Sequence, residues 1–383
     1  MKRLRGITWN HTRGLVPLQA TAQRYAEKNP GVEIAWEKRS LKDFEEFPIQ
    51  KLAETYDFLI IDHPFTGYAA KHGTLLALDQ HLSPAFLEEQ AAQSVGASHA
   101  TYSLAGHQWA LAIDAATPVA MWRPDLLERH RLRVPQTWNE VLDLAKRGMV
   151  ELPAAPINCL MNFYMLCAAF GEEPFLSLDR VISTAPGIDA LEALDHLIQY
   201  CAPGCLERNP IQSCELMARR DESQLAYCPF AYGYSNYARE GYAESSLMFG
   251  DIPQAPTSAP LRSTLGGTGL AISARTTELE TCVHYAEFIA SGEIQRTLYT
   301  RSGGQPGHRT AWLDEENNRL TRDYFRNTLA TLDRAYVRPR YCGYLEFQEQ
   351  AGHVLHGYFI KKQDAKETLR RLDTLYIDSL QHA

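Results

Sequence analysis

The sequence predicts an α/β protein of two domains, from its length and from two kinds of strand signal. The chain has 383 residues, and at roughly 150 residues per domain this corresponds to two or three domains, of which two is the first expectation. Val32, Ile34 and Trp36 alternate with polar residues, as in a half-buried strand. The run from Phe58 to Ile61 is continuously apolar, which is typical of a parallel strand covered on both faces.

A β-loop-α unit opens the chain and supports this fold class. Residues 4–9 are a strand candidate, and residues 10–14 form a loop. The helix that follows is expected to open at Pro17, because proline suits the first helical position. Its apolar face consists of Leu18, Ala22 and Tyr25.

A break at Pro118 indicates where the chain passes from one domain to the other. Residues 106–114 and 117–122 are both extended, but the proline argues against one unbroken central strand. Thr137 and Glu140 then form a capping box, which predicts the start of a helix. The apolar stripe of this helix consists of Val141, Leu142 and Ala145.

The remaining elements continue the α/β pattern. Residues 188–198 have helical spacing, whereas residues 227–237 mix aromatic and turn residues, as in a loop that lines a concave site. Residues 265–272 lead from a glycine turn into a short apolar strand, and a helix over 278–290 follows. The last predicted helix covers about 364–380, with one apolar face.

Composition excludes several classes of partner. With 38 Lys and Arg against 46 Asp and Glu the formal net charge is −8, so nucleic acid is not expected to bind. No window approaches the roughly 18 apolar residues of a membrane helix, so the protein is not expected to be membrane-embedded. The basic amino terminus lacks the apolar stretch of about 7 to 15 residues of a signal peptide. As written, the chain is expected in the cytoplasm, or in the periplasm if a signal was removed.

The cysteines predict neither a disulfide framework nor a metal site. Dispersed cysteines in a long chain most often behave as small buried hydrophobes, so we expect free thiols. His196, Cys201, Cys205 and Cys214 are close in sequence, but their spacing matches no standard zinc pattern. No metal and no cofactor are therefore expected.

Several segments, in their order and spacing, resemble the extracellular solute-binding proteins of ABC importers, in the sugar-binding family that includes maltose-binding protein. The most specific is the Pro-x-Thr-Trp-x-Glu stretch at 135–140, which follows the extended segment 106–122. The Gly-Gly-Thr-Gly-Leu-Ala-Ile-Ser stretch at 266–273 and the Gly304-Gln305-Pro306 turn are similar to the family's second crossover and its following region. The resemblance covers nearly the whole chain.

The resemblance implies a type II periplasmic-binding-protein fold, in which two discontinuous α/β lobes joined by a hinge close on a ligand. Lobe one is then 1–112 plus 262–310, and lobe two is 113–261 plus 311–383. The implied partners are a small-molecule ligand and the permease subunits of an ABC importer, and the chain is expected to be a monomer.

The candidate ligand-binding residues lie on loops that would face the cleft between the lobes, where a few polar groups and an aromatic platform can hold a small polar molecule. They are Trp9, Asn10, His11, Arg13, Asp62, His63, Asp114, Asn162, Tyr164, Tyr232, Tyr234, Asn236, Gly267, Thr268, Arg338 and Arg340. Structural alternatives stay open for each of them. Trp9 can pack under its own helix, for example, and Asp114 can pair with an arginine to fix the crossover.

Two functions follow from these residues. The first is reversible binding of a small polar solute, a sugar or a sugar-derived acid, by a component of an importer or by a cytoplasmic derivative of one; Arg338 and Arg340 slightly favour a negatively charged ligand. The alternative is a cytoplasmic enzyme on the same fold that uses side chains of the cleft for acid-base chemistry. Its candidate catalytic residues are His11, Asp62, His63, Asp114 and Cys228, which match no known catalytic signature.

Overall fold

The computed structural model describes residues 1–46, 49–220 and 224–381. Contacts within the chain divide it into two units, and each unit is assembled from three separate segments. Unit one consists of Met1–Ala116, Gly266–Leu320 and Arg340–Cys342. Unit two consists of Thr117–Leu265, Thr321–Pro339 and Gly343–Ala383.

The strands and helices alternate along the first part of the chain, and helices dominate its last part. The strands are β1 (Lys2–Trp9), β2 (Val32–Arg39), β3 (Phe58–Ile61), β4 (Ser103–Leu104), β5 (His107–Gln108), β6 (Leu111–Ala116), β7 (Pro118–Trp122), β8 (Tyr227–Tyr232), β9 (Met248–Gly250) and β10 (Gly266–Ile272). The helices are α1 (Thr12–Lys28), α2 (Leu41–Glu46), α3 (Ile49–Ala53), α4 (Phe65–His72), α5 (Pro84–Ala92), α6 (Ser98–Thr101), α7 (Pro124–Arg129), α8 (Trp138–Lys146), α9 (Pro156–Ala169), α10 (Thr184–Ile198), α11 (Pro210–Ala218), α12 (Leu279–Ala290), α13 (Gly292–Ile294), α14 (Arg309–Leu313), α15 (Glu315–Leu320), α16 (Tyr324–Asp333), α17 (Tyr344–Lys361) and α18 (Ala365–Leu380).

Unit one is organised around a mixed sheet with the strand order β2-β1-β3-β10-β6. β1 is parallel to β2 and β3, whereas β10 is antiparallel to both β3 and β6. All four residues of β3 are buried, as their continuous apolar run predicts for a strand covered on both faces. The core combines strand residues such as Leu4, Phe58 and Leu270 with Tyr25 of α1 and Tyr285 of α12.

The first helix begins earlier than the sequence suggested. The prediction that Pro17 opens it is wrong, since α1 begins at Thr12 and Pro17 lies inside the helix. The reason is the side chain of His11, which accepts a hydrogen bond from the backbone N–H of Arg13 and so caps a helix that begins five residues before the proline. The imidazole therefore fixes the start of α1.

Strand pairing determines where the chain leaves and re-enters unit one. β6 pairs with β10 as far as Ala116, which lies opposite Gly266. The boundary between the units therefore falls after Ala116, whereas the sequence analysis placed it after residue 112. At the second exit, α14 and α15 belong to unit one, because the indole Nε1–H of Trp312 donates to the carbonyl of Pro306 (2.6 Å) and Asn318 Nδ2 donates to the carbonyl of Trp312 (2.8 Å).

Unit two combines a small antiparallel sheet, β8-β7-β9, with the helices α7 to α11 and α16 to α18. β8 corrects the sequence analysis, which treated 227–237 as a loop. Its residues pair with β7 as an edge strand, and a register irregularity between Val119 and Met121 accommodates Pro229, which lacks a backbone N–H. The capping box of Thr137 and Glu140 starts α8 as predicted.

The aromatic core of unit two is centred on Phe175. Its ring meets four others edge-on, with centroid separations of 5.1 to 6.0 Å. Those four belong to Tyr164, Tyr344, Phe347 and Tyr376. Helices α9, α17 and α18 are thereby packed together around one side chain.

Two general properties complete the description of the fold. Within 1–46, 49–220 and 224–381, no helix has both the length and the apolar character needed to cross a bilayer. All eight cysteines fall in these ranges and are free thiols, and most are buried.

Candidate functional site

The end of β1 and the first turn of α1 hold four of the predicted site residues. The ring of Trp9 is buried against Gly14 of α1, where a Cβ atom would lie 2.5 Å from the indole. Trp9 therefore packs under its own helix, as the structural alternative proposes. His11 Nδ1 accepts from the backbone N–H of Arg13 at 3.0 Å, and the side chain of Asn10 is exposed.

Arg13 and Asp114 form a buried bidentate ion pair inside unit one. Arg13 Nε donates to Asp114 Oδ2 at 2.8 Å, and a terminal N–H of the same guanidinium donates to Oδ1. The two side chains are 4% and 0% exposed. Burial raises the pKa of Asp114 from its ordinary value, and the positive charge of Arg13 opposes that rise. Asp114 thus pairs with an arginine, as its structural alternative predicts.

Gly267 and Thr268 bring the re-entering strand β10 against Asp114. Thr268 lies opposite Asp114 in the register, and its backbone N–H donates to the Asp114 carboxylate. Gly267 has φ +96°, and a Cβ there would lie 2.5 Å from the carbonyl oxygen of Asp114, so this position needs glycine. Four predicted residues, Arg13, Asp114, Gly267 and Thr268, are therefore in one place.

His11 is held in its neutral form by this environment. Burial, and then the nearby charge of Arg13, lower its pKa from 6.5 to about 3. A neutral imidazole can accept the hydrogen bond that caps α1, whereas a protonated imidazole cannot. His11 is therefore unsuited to acid-base chemistry at neutral pH.

We expect the pKa of His11 to make unit one less stable in acid. Between pH 6.5 and about 3 the unfolded chain binds a proton at His11 that the folded chain does not, so the free energy of unfolding falls as the pH falls through this window. His11→Asn keeps an acceptor that caps helices well and removes this proton. Urea unfolding at about pH 7 and pH 5 should show a smaller loss for the variant than for the parent. Equal losses would contradict the assignment.

Asp62 and His63 follow β3, as the sequence placed them. The Asp62 carboxylate accepts from the backbone N–H of His63 at 2.8 Å and lies 3.1 Å from the ring Nδ1 of the same residue. The His63 side chain is buried, and its carbonyl accepts from the hydroxyl of Thr66 (2.7 Å). The two side chains therefore sit at the carboxyl end of a buried strand, just before α4.

In unit two, Asn162 and Tyr164 lie within α9 and are buried. Asn162 Nδ2 donates to the carbonyl of Pro153 (3.2 Å), which fixes the segment that enters the helix. The Tyr164 ring packs edge-on against Phe175 and Tyr336. Both have a structural role in the core of unit two.

The aromatic segment after β8 presents the other predicted residues of unit two. The hydroxyl of Tyr232, at the end of β8, lies 3.3 Å from Thr264 Oγ1. Tyr234 precedes a single 3₁₀ turn, Ser235–Ala238, that contains Asn236, and both side chains are buried. The next aromatic residue, Tyr237, donates from its hydroxyl to Glu215 at 2.5 Å. This turn places several polar groups close together.

The structure assigns Arg338 and Arg340 to different units. Arg338 lies in unit two and donates to Gln348 Oε1 at 2.7 Å. Arg340 lies in unit one, and its guanidinium donates to three backbone carbonyls, those of Ala100, Thr101 and Ser103, at 2.8 to 3.0 Å. Each cation is therefore engaged in holding its own unit together.

Cys228, the second residue of β8, is fully buried. Burial raises the pKa of its thiol well above the ordinary value, so the thiolate that a nucleophile requires does not form at neutral pH. His11 caps α1 in its neutral form and Asp114 is held in an ion pair, so three members of the proposed catalytic set, His11, Asp114 and Cys228, have structural roles.

Sequence reasoning missed Tyr102, whose hydroxyl donates to the carbonyl of Ile61 (3.2 Å) at the end of β3. Its ring lies against Gly269, where a Cβ would be 2.8 Å away. The residue follows the one-turn helix α6 in an irregular segment, so no periodicity marked it. Within the described ranges, no group of three or more His, Cys, Asp or Glu side chains could hold a metal ion.

Comparisons with known proteins agree with this architecture. Residues 8–176 match the family of bacterial extracellular solute-binding proteins, whereas no curated protein matches the chain. Maltose-bound MalE3 of T. maritima superimposes with a TM-score of 0.84 at 15% identity, covering 98% of this chain and 99% of that one. A solute-binding protein from Agrobacterium radiobacter K84 in complex with ribitol gives 0.81 at 17% identity, covering 98% of both chains.

A third structure, the Thermus thermophilus maltotriose-binding protein bound with maltotriose, gives a TM-score of 0.78 at 15% identity and covers 99% of this chain and 100% of that one. At these identities the likeness concerns the fold. It covers 98% to 99% of this chain. The resemblance to the extracellular solute-binding proteins of ABC importers is thus confirmed, and the chain has their type II periplasmic-binding-protein fold.

Proposed function

We propose that this protein binds a small uncharged sugar or polyol reversibly, as the substrate-binding component of an ABC-type importer. The observation that carries the proposal is the agreement between the family match over residues 8–176 and a fold shared over nearly the whole chain with solute-binding proteins. Those proteins were solved with maltose, ribitol and maltotriose. All three compounds are neutral molecules rich in hydroxyl groups.

The hydrogen bonds that the arginines of the predicted site already make also favour a neutral ligand. A sugar acid is best held by an arginine whose guanidinium receives the carboxylate in bidentate fashion. Each of the three arginines in the predicted site already has a protein acceptor: Arg13 binds Asp114, Arg338 binds Gln348, and Arg340 binds backbone carbonyls. The sugar-derived acid that the sequence left open is therefore the weaker candidate.

The enzyme alternative finds no support. Its one thiol, Cys228, is buried and has a raised pKa, and one of its two histidines, His11, is a neutral helix cap. The solved relatives named above are binding proteins. Reversible capture without covalent chemistry therefore accounts for the arrangement better.

We further propose that permease subunits of an ABC importer are the protein partner and that the chain acts as a monomer. Hinge closure on the ligand, expected from the sequence, stays a prediction. The cheapest check on the partner is whether permease genes lie beside the gene for this protein.

A screen that compares neutral sugars and polyols with sugar acids tests the ligand class. Thermal shift followed by titration calorimetry compares maltose, maltotriose, ribitol and mannitol with glucuronate, galacturonate and ribonate. We expect at least one neutral compound to raise the melting temperature, to bind stoichiometrically and to be recovered unchanged. Binding confined to the acids would overturn the neutral assignment, and turnover of a bound compound would overturn reversible binding.

A further inference from the structure

One carboxylate in unit one connects a helix with two strands. The Asp114 side chain, on β6, accepts two hydrogen bonds from Arg13 in the first turn of α1 and one from the backbone N–H of Thr268 on β10. It is completely buried, so water does not compete for these bonds. The orientation of three elements therefore depends on a single charged group.

This group lies beside two of the points where the chain crosses between units. The chain leaves unit one after Ala116, two residues beyond Asp114, and re-enters it at Gly266, two residues before Thr268. The strands pair through both positions, and the register shifts between Thr268 and Gly269 immediately afterwards. Asp114 thus fixes β6 and β10, near the points where the chain leaves and re-enters unit one, to α1, the helix whose first turn carries predicted ligand residues.

The opposite edge of β6 is equally fixed. The backbone N–H of Ala115 donates to the carbonyl of Gln305 (3.0 Å), and Gln305 Nε2 donates back to the carbonyl of Ala115 (2.8 Å). β6 therefore cannot shift to follow α1 if the ion pair is lost. The position of the Arg13 guanidinium therefore depends on Asp114, whereas the position of Asp114 is also held by the bonds between β6 and Gln305.

Two buried polar atoms in the same region are not satisfied by the protein. Trp9 Nε1 and Thr268 Oγ1 have no hydrogen-bond partner in the described part of the chain, although both side chains are more than nine-tenths buried. The Arg13 guanidinium lies 5.8 Å from the centre of the Trp9 ring. Unsatisfied donors and acceptors of this kind are destabilising unless something pairs with them.

We infer that Asp114 is a positioning residue for ligand binding: it orients the Arg13 guanidinium and the first turn of α1, and it does not itself contact the ligand. The inference rests on the proposed function. Asp114 is the only fully buried carboxylate of the predicted site. Its role is then to keep the binding surface in position, and it does not accept a hydrogen bond from a ligand hydroxyl. Ligand affinity should then depend on Asp114 only through Arg13.

A double-mutant cycle on ligand affinity tests this dependence. The probe is the tightest binder among maltose, maltotriose, ribitol and mannitol, titrated into Asp114→Asn, Arg13→Gln and the double variant. We expect Asp114→Asn to weaken binding by at least about tenfold alone, and by less than about twofold in the Arg13→Gln background. A direct contact between Asp114 and the ligand would instead leave the loss unchanged in that background, which would overturn the inference. So would an unaltered affinity in folded Asp114→Asn.

Two further variants serve as a control and as a substitute in this experiment. Asp125→Asn removes the acidic partner of another bidentate arginine, Arg123 in unit two, and should leave the affinity unchanged. Arg13→Lys keeps the positive charge but cannot form the two parallel hydrogen bonds of a guanidinium with the Asp114 carboxylate. This variant replaces Asp114→Asn if that protein does not fold. It should weaken probe binding without unfolding the protein, and an unaltered affinity in this variant would also overturn the inference.

Hydrogen exchange of the ligand-free protein separates this inference from the proposed function. In Asp114→Asn, exchange should rise both in the first turn of α1 and in the first residues of β10, while Asp125→Asn leaves both unchanged. If none of the probes binds the parent protein, the proposed function fails, and the exchange data alone decide the anchoring. Exchange that stays at the parental level in both segments would overturn it.

Discussion

Replacing Glu151 with glutamine is expected to lower the free energy of unfolding of unit two by about 3–5 kcal/mol. The carboxylate is fully buried and bound in bidentate fashion by Arg208, with Nε–Oε1 at 2.7 Å and the second pair of atoms at 2.8 Å. It also accepts from the hydroxyl of Ser213 at 2.8 Å. Glutamine keeps the shape, but it leaves the guanidinium without a counter-charge and turns an amide N–H₂ toward a donor.

Urea unfolding followed by far-ultraviolet circular dichroism measures this loss. The matched control is Glu316→Gln, which breaks a bidentate pair with Arg319 one helical turn away on the surface of α15. Because solvent screens exposed pairs, this control should leave the unfolding midpoint unchanged. Similar midpoints for both variants would show that the burial of Glu151 does not contribute as argued.

Replacing Gly67 with alanine is expected to lower the free energy of unfolding of unit one by about 3 kcal/mol or more, through overpacking against backbone. Gly67 is buried in α4, and a Cβ built there overlaps the carbonyl oxygen of Arg340. The obstructing atom is backbone, and Arg340 is held by its bonds to the carbonyls of Ala100, Thr101 and Ser103, so neither side can move away easily.

Gly357→Ala in α17 provides the matched control. Both glycines are helical, but the nearest atom to a Cβ on Gly357 is the end of the Gln363 side chain at 3.9 Å. Helix propensity alone should stabilise this variant by up to about 1 kcal/mol. Thermal unfolding should therefore give shifts of opposite sign for the two substitutions. A stabilised Gly67→Ala would show that the segment Arg340–Cys342 does not pack on α4 as described.

Local signals in the sequence predicted elements well where one short stretch determined them. The apolar run of β3 and the capping box before α8 depend on neighbouring residues, and both are confirmed. The prediction that α1 begins at Pro17 was wrong because the helix is capped earlier by the imidazole of His11, and histidine is not among the usual capping residues. The strand β8 was missed because its pairing with β7 is a tertiary contact between distant segments.

The candidate site was predictable only in part, for a related reason. The sequence analysis selected His11 and Arg13 because loops after strands carry polar side chains in this kind of sheet, whereas Asp114 lies inside β6. That these residues bind a ligand stays a prediction. The partners of those side chains were not visible, since Arg13 and Asp114 are separated by 101 positions. For the same reason Arg340 looked like an anion-binding residue, whereas its partners are carbonyls about 240 positions earlier in the chain.

The position of β10 between β3 and β6 has a consequence for biosynthesis. On the ribosome, β3 and β6 are made long before the strand that joins them, because the 149 residues from 117 to 265 come first. At about 5–20 residues per second the edge of β6 stays open for roughly 7 to 30 seconds, and the edge of β3, which is made earlier, stays open longer. During that interval the nascent chain exposes unpaired, apolar strand edges of the kind that aggregate or recruit chaperones. Maturation of unit one is therefore completed only after unit two has largely been translated.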